Sequence, residues 1–494
     1  SSMNLTKIET ANMSVHALLE DGTTAEKVQN REVFGFWGGF CFTINATMGS
    51  GFLTFPWAYQ HGGWIMALSM QLAYCLLLIY LGYMLLDLLA RCESITESID
   101  AGMDVHPLHL SELMTHNDKY QLRPEIMPEV TARKFDLSEA ANIIFGPRAR
   151  NVYLTGVSIF LGGALMSYTS IFASSMAENI PVFGETCSIY ENEVFSHCWG
   201  KYAFFVSLFM LPMVYFTVRG YEEQLILQAI MTICRLTIVT LIMLVSLYAI
   251  LTHTSVVGTD YNPAQLPIQA NWRLSSVVMS IVMFAQLYHL QFPSIIEPVK
   301  DKTKNLPRLI IGSAITCTIL YTGIGMLASI AIPNISVAST LSFSSYCPNT
   351  DPSERPWWAY AIGFIISFFP AADVFSVFPI VSVPLADNWL SLYYGSIPQN
   401  EIPRRWFVLF RSAAVIIPMF LATFLYMLNE IISFAGMVGV FLTFIMIPLM
   451  NIGARAFIDV KSPFEWKLMT PGNSRKISWL GALIVIYFFA LYPY

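Results

Sequence analysis

Met48-Gly49-Ser50-Gly51 interrupts 34–64, an apolar stretch long enough to cross a bilayer. Two glycines around a serine weaken a helix where lipid offers no partner to freed backbone groups. A membrane protein keeps such a break where unwound backbone lines a cavity and a solute uses its N–H and C=O groups. The N–H groups from Ser50 to Leu53 then present the positive end of a helix dipole, which suits a carboxylate, with Asn45 and Met48 beside them. The unwound carbonyls of Ile44 and Thr47 suit an ammonium group or a cation. Close helix packing is the alternative role for the glycines, but Gly49 and Gly51 lack the four-residue spacing of that motif.

A second polar cluster, Gln286, Tyr288, His289 and Gln291, precedes Pro293 in another apolar run. His289 reads as a proton-sensitive group, a substrate contact or a satisfied core histidine, with Phe284 and Gln286 on the same segment. Glu297, just beyond, suits a gate or an interface. Asp373 lies far from either end of its run, at a depth where an ionisable side chain is costly and marks function by default. It either ligates Na⁺ or carries a proton. The structural alternative is a salt bridge with Arg235 or Arg411. Ser376 and Ser367 are weaker candidates, because serine often bonds its own helix backbone. Asp87, Glu223, Arg235 and Glu430 stand near helix ends or interfaces, where snorkelling explains most such charges. Phe284, Tyr168, Phe375 and Phe434 are available to wall a pocket.

The elements that must position these residues are membrane helices. The chain has 494 residues, 55% hydrophobic and 12% charged, against about 25% charged in a soluble domain. Its mean hydropathy is +0.56. About eleven apolar runs approach spanning length: 34–59, 64–90, 151–177, 202–218, 224–252, 274–292, 307–332, 357–385, 406–427, 429–451 and 477–493. With the N-terminus inside, Lys201, Arg273 and Arg355 fall outside, Arg235 and Arg411 fall within spans, and the rest of the 27 basic residues lie inside. The C-terminus is then outside. Residues 1–33 are polar, without the apolar core of a signal peptide, and read as an inner tail. No basic stripe suggests nucleic acid. No HExxH, GxSxG, CxxC or GxxxxGK[ST] motif is present, so an enzyme is not expected, nor is a cofactor.

The long inner loop, 92–150, is mostly polar and offers a docking place for a protein partner. Near its end, Asp136-Leu-Ser-Glu139 resembles a capping box opening a short helix. Leu137, Ala140, Ala141 and Ile144 share its apolar face, and Gly146-Pro147 stops it. The expectation is an interfacial helix on the inner leaflet. Cys187, Cys198 and Cys347 fall in outer loops, where a disulfide is permitted and three pairings are open. Breaks in the first and sixth spans, at matching places in two halves (34–252 and 274–451, with 477–493 extra), point to an inverted-repeat transporter.

The stretch Asn45-Ala-Thr-Met-Gly-Ser-Gly-Phe-Leu-Thr-Phe-Pro-Trp-Ala-Tyr-Gln-His-Gly-Gly63 resembles the first-helix signature of the amino acid/auxin permease family, within the amino acid–polyamine–organocation superfamily. Leu137–Arg148 and His289–Lys300 resemble that family's amphipathic segment and sixth helix. The resemblance covers about 34–493 and implies an all-α integral membrane protein in the fold of the bacterial leucine transporter. It implies eleven helices in a 5+5 inverted repeat with helices 1 and 6 broken, and secondary transport of amino acids driven by H⁺ or Na⁺. The site would lie between helices one, three, six, eight and ten. By position, Gly49, Ser50 and Gly51 would hold the substrate carboxylate, Asn45 would support it, and Phe284, Gln286 and His289 would meet the amino group and side chain. The same resemblance suggests a disulfide between Cys347 and either Cys187 or Cys198.

This chain departs from the sodium-coupled pattern by carrying Ala372 where those members keep a hydroxyl, with Asp373 beside it. The departure favours a proton as the coupling ion. The expected function is thus proton-coupled amino acid transport by alternating access. The rival is a non-transporting relative that senses amino acids or serves as a subunit of a membrane complex. Plasma, lysosomal or vacuolar, and mitochondrial membranes all stay open.

Overall fold

A computed structural model of the chain describes residues 35–100, 136–182, 184, 186–219, 225–257, 269–296, 299–348, 355–395, 401–458 and 460–491. The N-terminal tail, the middle of the 92–150 loop, Glu223 and Glu297 lie outside the described residues, as do the side chains of Asn45 and Ser50. Among the described residues the architecture is all helical, apart from one isolated bridge between Val257 and Cys347. Eight of the helices are long and apolar enough to cross a membrane.

The first span divides into α1 (Phe36–Thr47), a 3₁₀ turn (Ser50–Thr54) and α2 (Phe55–Gly62). α2 has Pro56 in its first turn, where a missing N–H costs nothing. The break is narrower than the sequence suggested. Met48 N–H still donates to the Ile44 carbonyl at 2.8 Å, so the helical pattern holds through Thr47 and only Met48 and Gly49 leave it. Ile44 therefore offers no unwound carbonyl, a correction to the expectation. α3 (Trp64–Asp100) follows a turn at Gly63, whose φ of 98° favours glycine. It runs well past residue 90, into the segment read as loop.

Beyond the undescribed part of the inner loop comes α4 (Leu137–Phe145), capped by Asp136, whose carboxylate accepts from Ser138 N–H at 3.3 Å and from Ser138 Oγ at 2.8 Å. Leu137, Ala140, Ala141 and Ile144 are buried on one face as the spacing predicts. That face packs against protein, on α5 (Pro147–Asn179) and on Gly453 of the tenth span. The helix is thus docked on the bundle through the face expected to meet the leaflet.

The remaining spans are α6 (His197–Arg219), α7 (Leu225–Leu251), the broken sixth span of α8 (Ser275–Ala285) and α9 (Phe292–Ile296), α10 (Lys302–Ala331), α11 (Trp357–Tyr394) and α12 (Arg404–Phe424). The tenth span joins α13 (Leu428–Val440) and α14 (Ile447–Phe457) through a π-helical turn at Phe441–Met446, and α15 (Pro471–Leu491) closes the chain. α11 stays helical through Pro370, Pro379 and Pro384, each of which removes one backbone donor. α5 is central, packing on α6, α11, α12 and α13.

The disulfide joins Cys187 to Cys198, whose Cα atoms lie 5.9 Å apart, within the range a bridge allows. This corrects the pairing with Cys347. Backbone geometry holds Cys347 elsewhere: its N–H donates to the Val256 carbonyl at 2.8 Å beside the bridge to Val257.

Candidate functional site

The two breaks meet. A Cβ placed on Gly51 would overlap the backbone and Cβ of Ala285, the last residue of α8. Gly51 is therefore a point of close approach between the first and sixth spans, so the packing role set aside on spacing grounds is real here. Gly49 is different: its open side faces the Tyr168 hydroxyl, 3.3 Å from where a Cβ would sit.

Around this contact lies a cavity of about 30 Å³, room for water and less than an amino acid occupies. Thr47, Gly49 and Gly51 line it from the first span, Phe160, Leu161, Ala164 and Tyr168 from α5, Phe284, Ala285, Leu287 and Gln291 from the sixth span, and Val381 from α11. Spans one, three, six and eight thus surround it, while the tenth packs behind. Gly436 approaches the Ser280 carbonyl, and Gly439 approaches Leu287 and Phe160.

Tyr321 of α10 ties the breaks together. Its hydroxyl lies 3.1 Å from the Thr47 carbonyl and 2.9 Å from the Ala285 carbonyl, the ends of α1 and α8. Its ring stacks on Phe55 at 4.5 Å, which fixes the aim of the hydroxyl. Two helix C-termini, each a partial negative charge, converge here, while the 3₁₀ turn at Ser50 starts the next helical segment with a partial positive charge. A cavity with no ionisable carboxylate or amine among its lining residues is nevertheless polarised for a zwitterion. Tyr321 was invisible as a site residue, one tyrosine among 23. Tyr321→Phe keeps the stacking and removes the donor, so it should lower stability by about 1–3 kcal/mol, the cost of orphaned buried carbonyls. An unchanged thermal midpoint would show that the hydroxyl does not join the breaks.

The other predicted residues fall in three places. Phe284 and Tyr168 wall the cavity, whereas Phe375 (39% exposed) and Phe434 (53% exposed) face outward. His289 and Gln286 are buried, but neither lines the cavity. The His289 Nε2 lies 3.1 Å from the Leu78 carbonyl, an acceptor that calls for the proton on that nitrogen, and its Nδ1 has no hydrogen-bond partner among the described residues. Its ring stacks on Tyr288 at 4.3 Å. The Gln286 Nε2 also has no partner among the described residues. Gln291, noted in the sequence only as part of the break, does line the cavity.

Asp373 is held by Arg235. The Arg235 Nη2 lies 2.8 and 2.9 Å from the two carboxylate oxygens and Nε lies 3.2 Å from one of them, joining α7 to α11. Both side chains are buried, and the pair lies within electrostatic range of Tyr168. Arg411 pairs instead with Asp387 at 2.7 Å. Ser376 Oγ donates to the Asp373 carbonyl at 2.7 Å, a bond to its own helix. The Thr47 side chain likewise donates to the Thr43 carbonyl at 2.6 Å, and its own carbonyl accepts from Tyr321. The oxygens proposed for Na⁺ at Ile44, Thr47 and Asp373 therefore all have protein partners.

A second buried polar centre escaped the sequence. Asp87, assigned to snorkelling, is fully buried. It accepts from Arg91 at 3.1 Å, Arg455 at 2.8 Å, Asn451 at 2.9 Å and Ser462 at 2.5 Å. Glu465 pairs with both arginines, and Arg91 also reaches the Ile458 carbonyl. The network fastens α3, α14 and the segment leading to α15.

A broken first span meeting a broken sixth span beside a central third helix defines the leucine-transporter fold. The model of the transmembrane amino acid transporter protein family matches residues 32–491, and the chain belongs to that family. It is similar to the transmembrane protein 104 homolog of Drosophila melanogaster, 22% identical over 446 residues, covering 81% of this chain and 84% of that protein. Transmembrane protein 104 of Homo sapiens is 21% identical over 408 residues, covering 75% and 77%. Among solved structures, MhsT in complex with L-phenylalanine aligns over 92% of this chain and 98% of its own with a TM-score of 0.51 at 12% identity, a likeness of fold.

Proposed function

We propose that this protein carries amino acids across a membrane by alternating access, with its N-terminus inside and its C-terminus outside. The observation that supports the reading most is the meeting of the two breaks at Gly51 and Ala285 around a cavity with backbone dipoles of both signs. The positive end at Ser50 would take the substrate carboxylate. The carbonyl ends of α1 and α8 would take the ammonium group, and Phe160, Phe284 and Leu287 would meet the side chain. The small cavity corresponds to the occluded stage, and substrate entry requires the first and sixth spans to move apart from α5 and α11.

The coupling ion in this reading is the proton. Ala372 leaves the eighth span without the hydroxyl a sodium ion would use, whereas protonation of Asp373 would weaken its hold on Arg235 and release α7 from α11. A neutralised carboxyl shifts the balance between two packings of these helices.

The test of the substrate site is Gly49→Leu. The added side chain meets the Tyr168 hydroxyl and fills the cavity, so binding of a mixed radiolabelled amino acid pool to purified protein should fall by about tenfold or more. Unchanged binding would place the substrate elsewhere.

A further inference from the structure

We infer that the protein carries a specific binding site for an anionic phospholipid at the inner leaflet, between α6 and α12. A groove of about 820 Å³ runs between these helices. Its walls are Leu211, Val214 and Val218 from α6 and Val408 from α12, and one end is closed by Arg219 and Arg404. Leu211 is 73% exposed, so the groove opens to the hydrocarbon of the bilayer.

The charges at its mouth are what select the occupant. Neither Arg219 nor Arg404 has an ion-pair partner among the described residues. Arg219 instead lies over the Tyr215 ring at 4.9 Å, which holds the guanidinium at the end of the groove. Arg404 opens α12, and Arg405 follows it, so two cations stand at the positive end of a helix dipole behind an N-cap, Pro403, that supplies no side-chain acceptor. This concentration of positive charge attracts an anion. Guanidinium groups bind phosphate through paired N–H donors, and basic pockets between membrane helices take phospholipid head groups. The phosphate would lie between Arg219 and Arg404, with one acyl chain in the groove against the valines. The site is independent of the transport reading and uses none of the residues at the breaks.

Native mass spectrometry of the full chain in neutral detergent tests this, with dioleoyl-phosphatidylglycerol and dioleoyl-phosphatidylcholine as probes. The wild type should retain the anionic lipid about tenfold more strongly than the zwitterionic one. Arg219→Gln with Arg404→Gln should erase that preference. Lys304→Gln with Arg308→Gln, which removes two exposed cations of the same inner side away from the groove, should leave it intact. Equal retention of the two lipids by wild type would overturn the site, as would equal loss in both double variants. Displacement of the lipid by millimolar inorganic phosphate would also overturn it, since head-group charge alone would then explain the binding.

Discussion

Asp373→Asn should abolish gradient-driven amino acid uptake, and Arg235→Gln should do the same. Each single change strands one partner of a buried, bidentate pair. An uncompensated charge at that depth costs about 3–5 kcal/mol, so loss of uptake alone would not separate coupling from folding. The double variant Arg235→Gln/Asp373→Asn separates them. Removing both charges together relieves the stranded partner and should restore most of the stability lost in either single variant, a coupling read by a double-mutant cycle. If the pair only braces α7 against α11, the double variant also regains uptake. The proton-coupled account predicts the opposite: a folded double variant whose amino acid flux no longer responds to an imposed pH gradient. Undiminished uptake by Asp373→Asn with unchanged pH dependence would refute its role.

The largest stability loss is expected at Asp87. Its carboxylate receives donors from Arg91, Arg455, Asn451 and Ser462 at zero exposure. Asp87→Ala leaves the Arg91 and Arg455 guanidinium groups close together with Glu465 as their one shared carboxylate among the described residues. The cost should be at least about 3–5 kcal/mol, read as a sharply lowered thermal midpoint in detergent and a reduced yield of monodisperse protein. Asp87→Asn keeps the shape and one acceptor oxygen, so it should fall between wild type and Asp87→Ala. A midpoint within a degree or two of wild type for Asp87→Ala would mean that the network does not hold α3 to α14.

Period, length and composition carried most of the architecture, because in lipid a backbone has few options but to hydrogen-bond within its own segment. The first-span break was legible since two glycines around a serine weaken a helix, and α4 was legible from its cap and its spaced apolar face. The division of labour between Gly49 and Gly51 was not. It depends on Ala285, 234 residues from Gly51, and a contact between two breaks leaves no local mark. Asp87 misled for a related reason: α3 continues to Asp100, so a residue read as lying near a membrane surface is deep in protein instead. The disulfide turned on which loops fold side by side, and cysteine spacing is silent on that. Asp373 was recognisable as costly, yet only the packing of α7 against α11 chooses Arg235 over Arg411 as its partner.

Uptake of a mixed amino acid pool by the protein in sealed liposomes, with a pH gradient imposed in one arm and a Na⁺ gradient in the other, tests the central claim most directly. Concentrative uptake driven by the pH gradient, without any requirement for Na⁺, is the predicted result. Folded protein that moves no amino acid under either gradient would contradict it and would make this chain a sensor or a subunit built on a transporter fold.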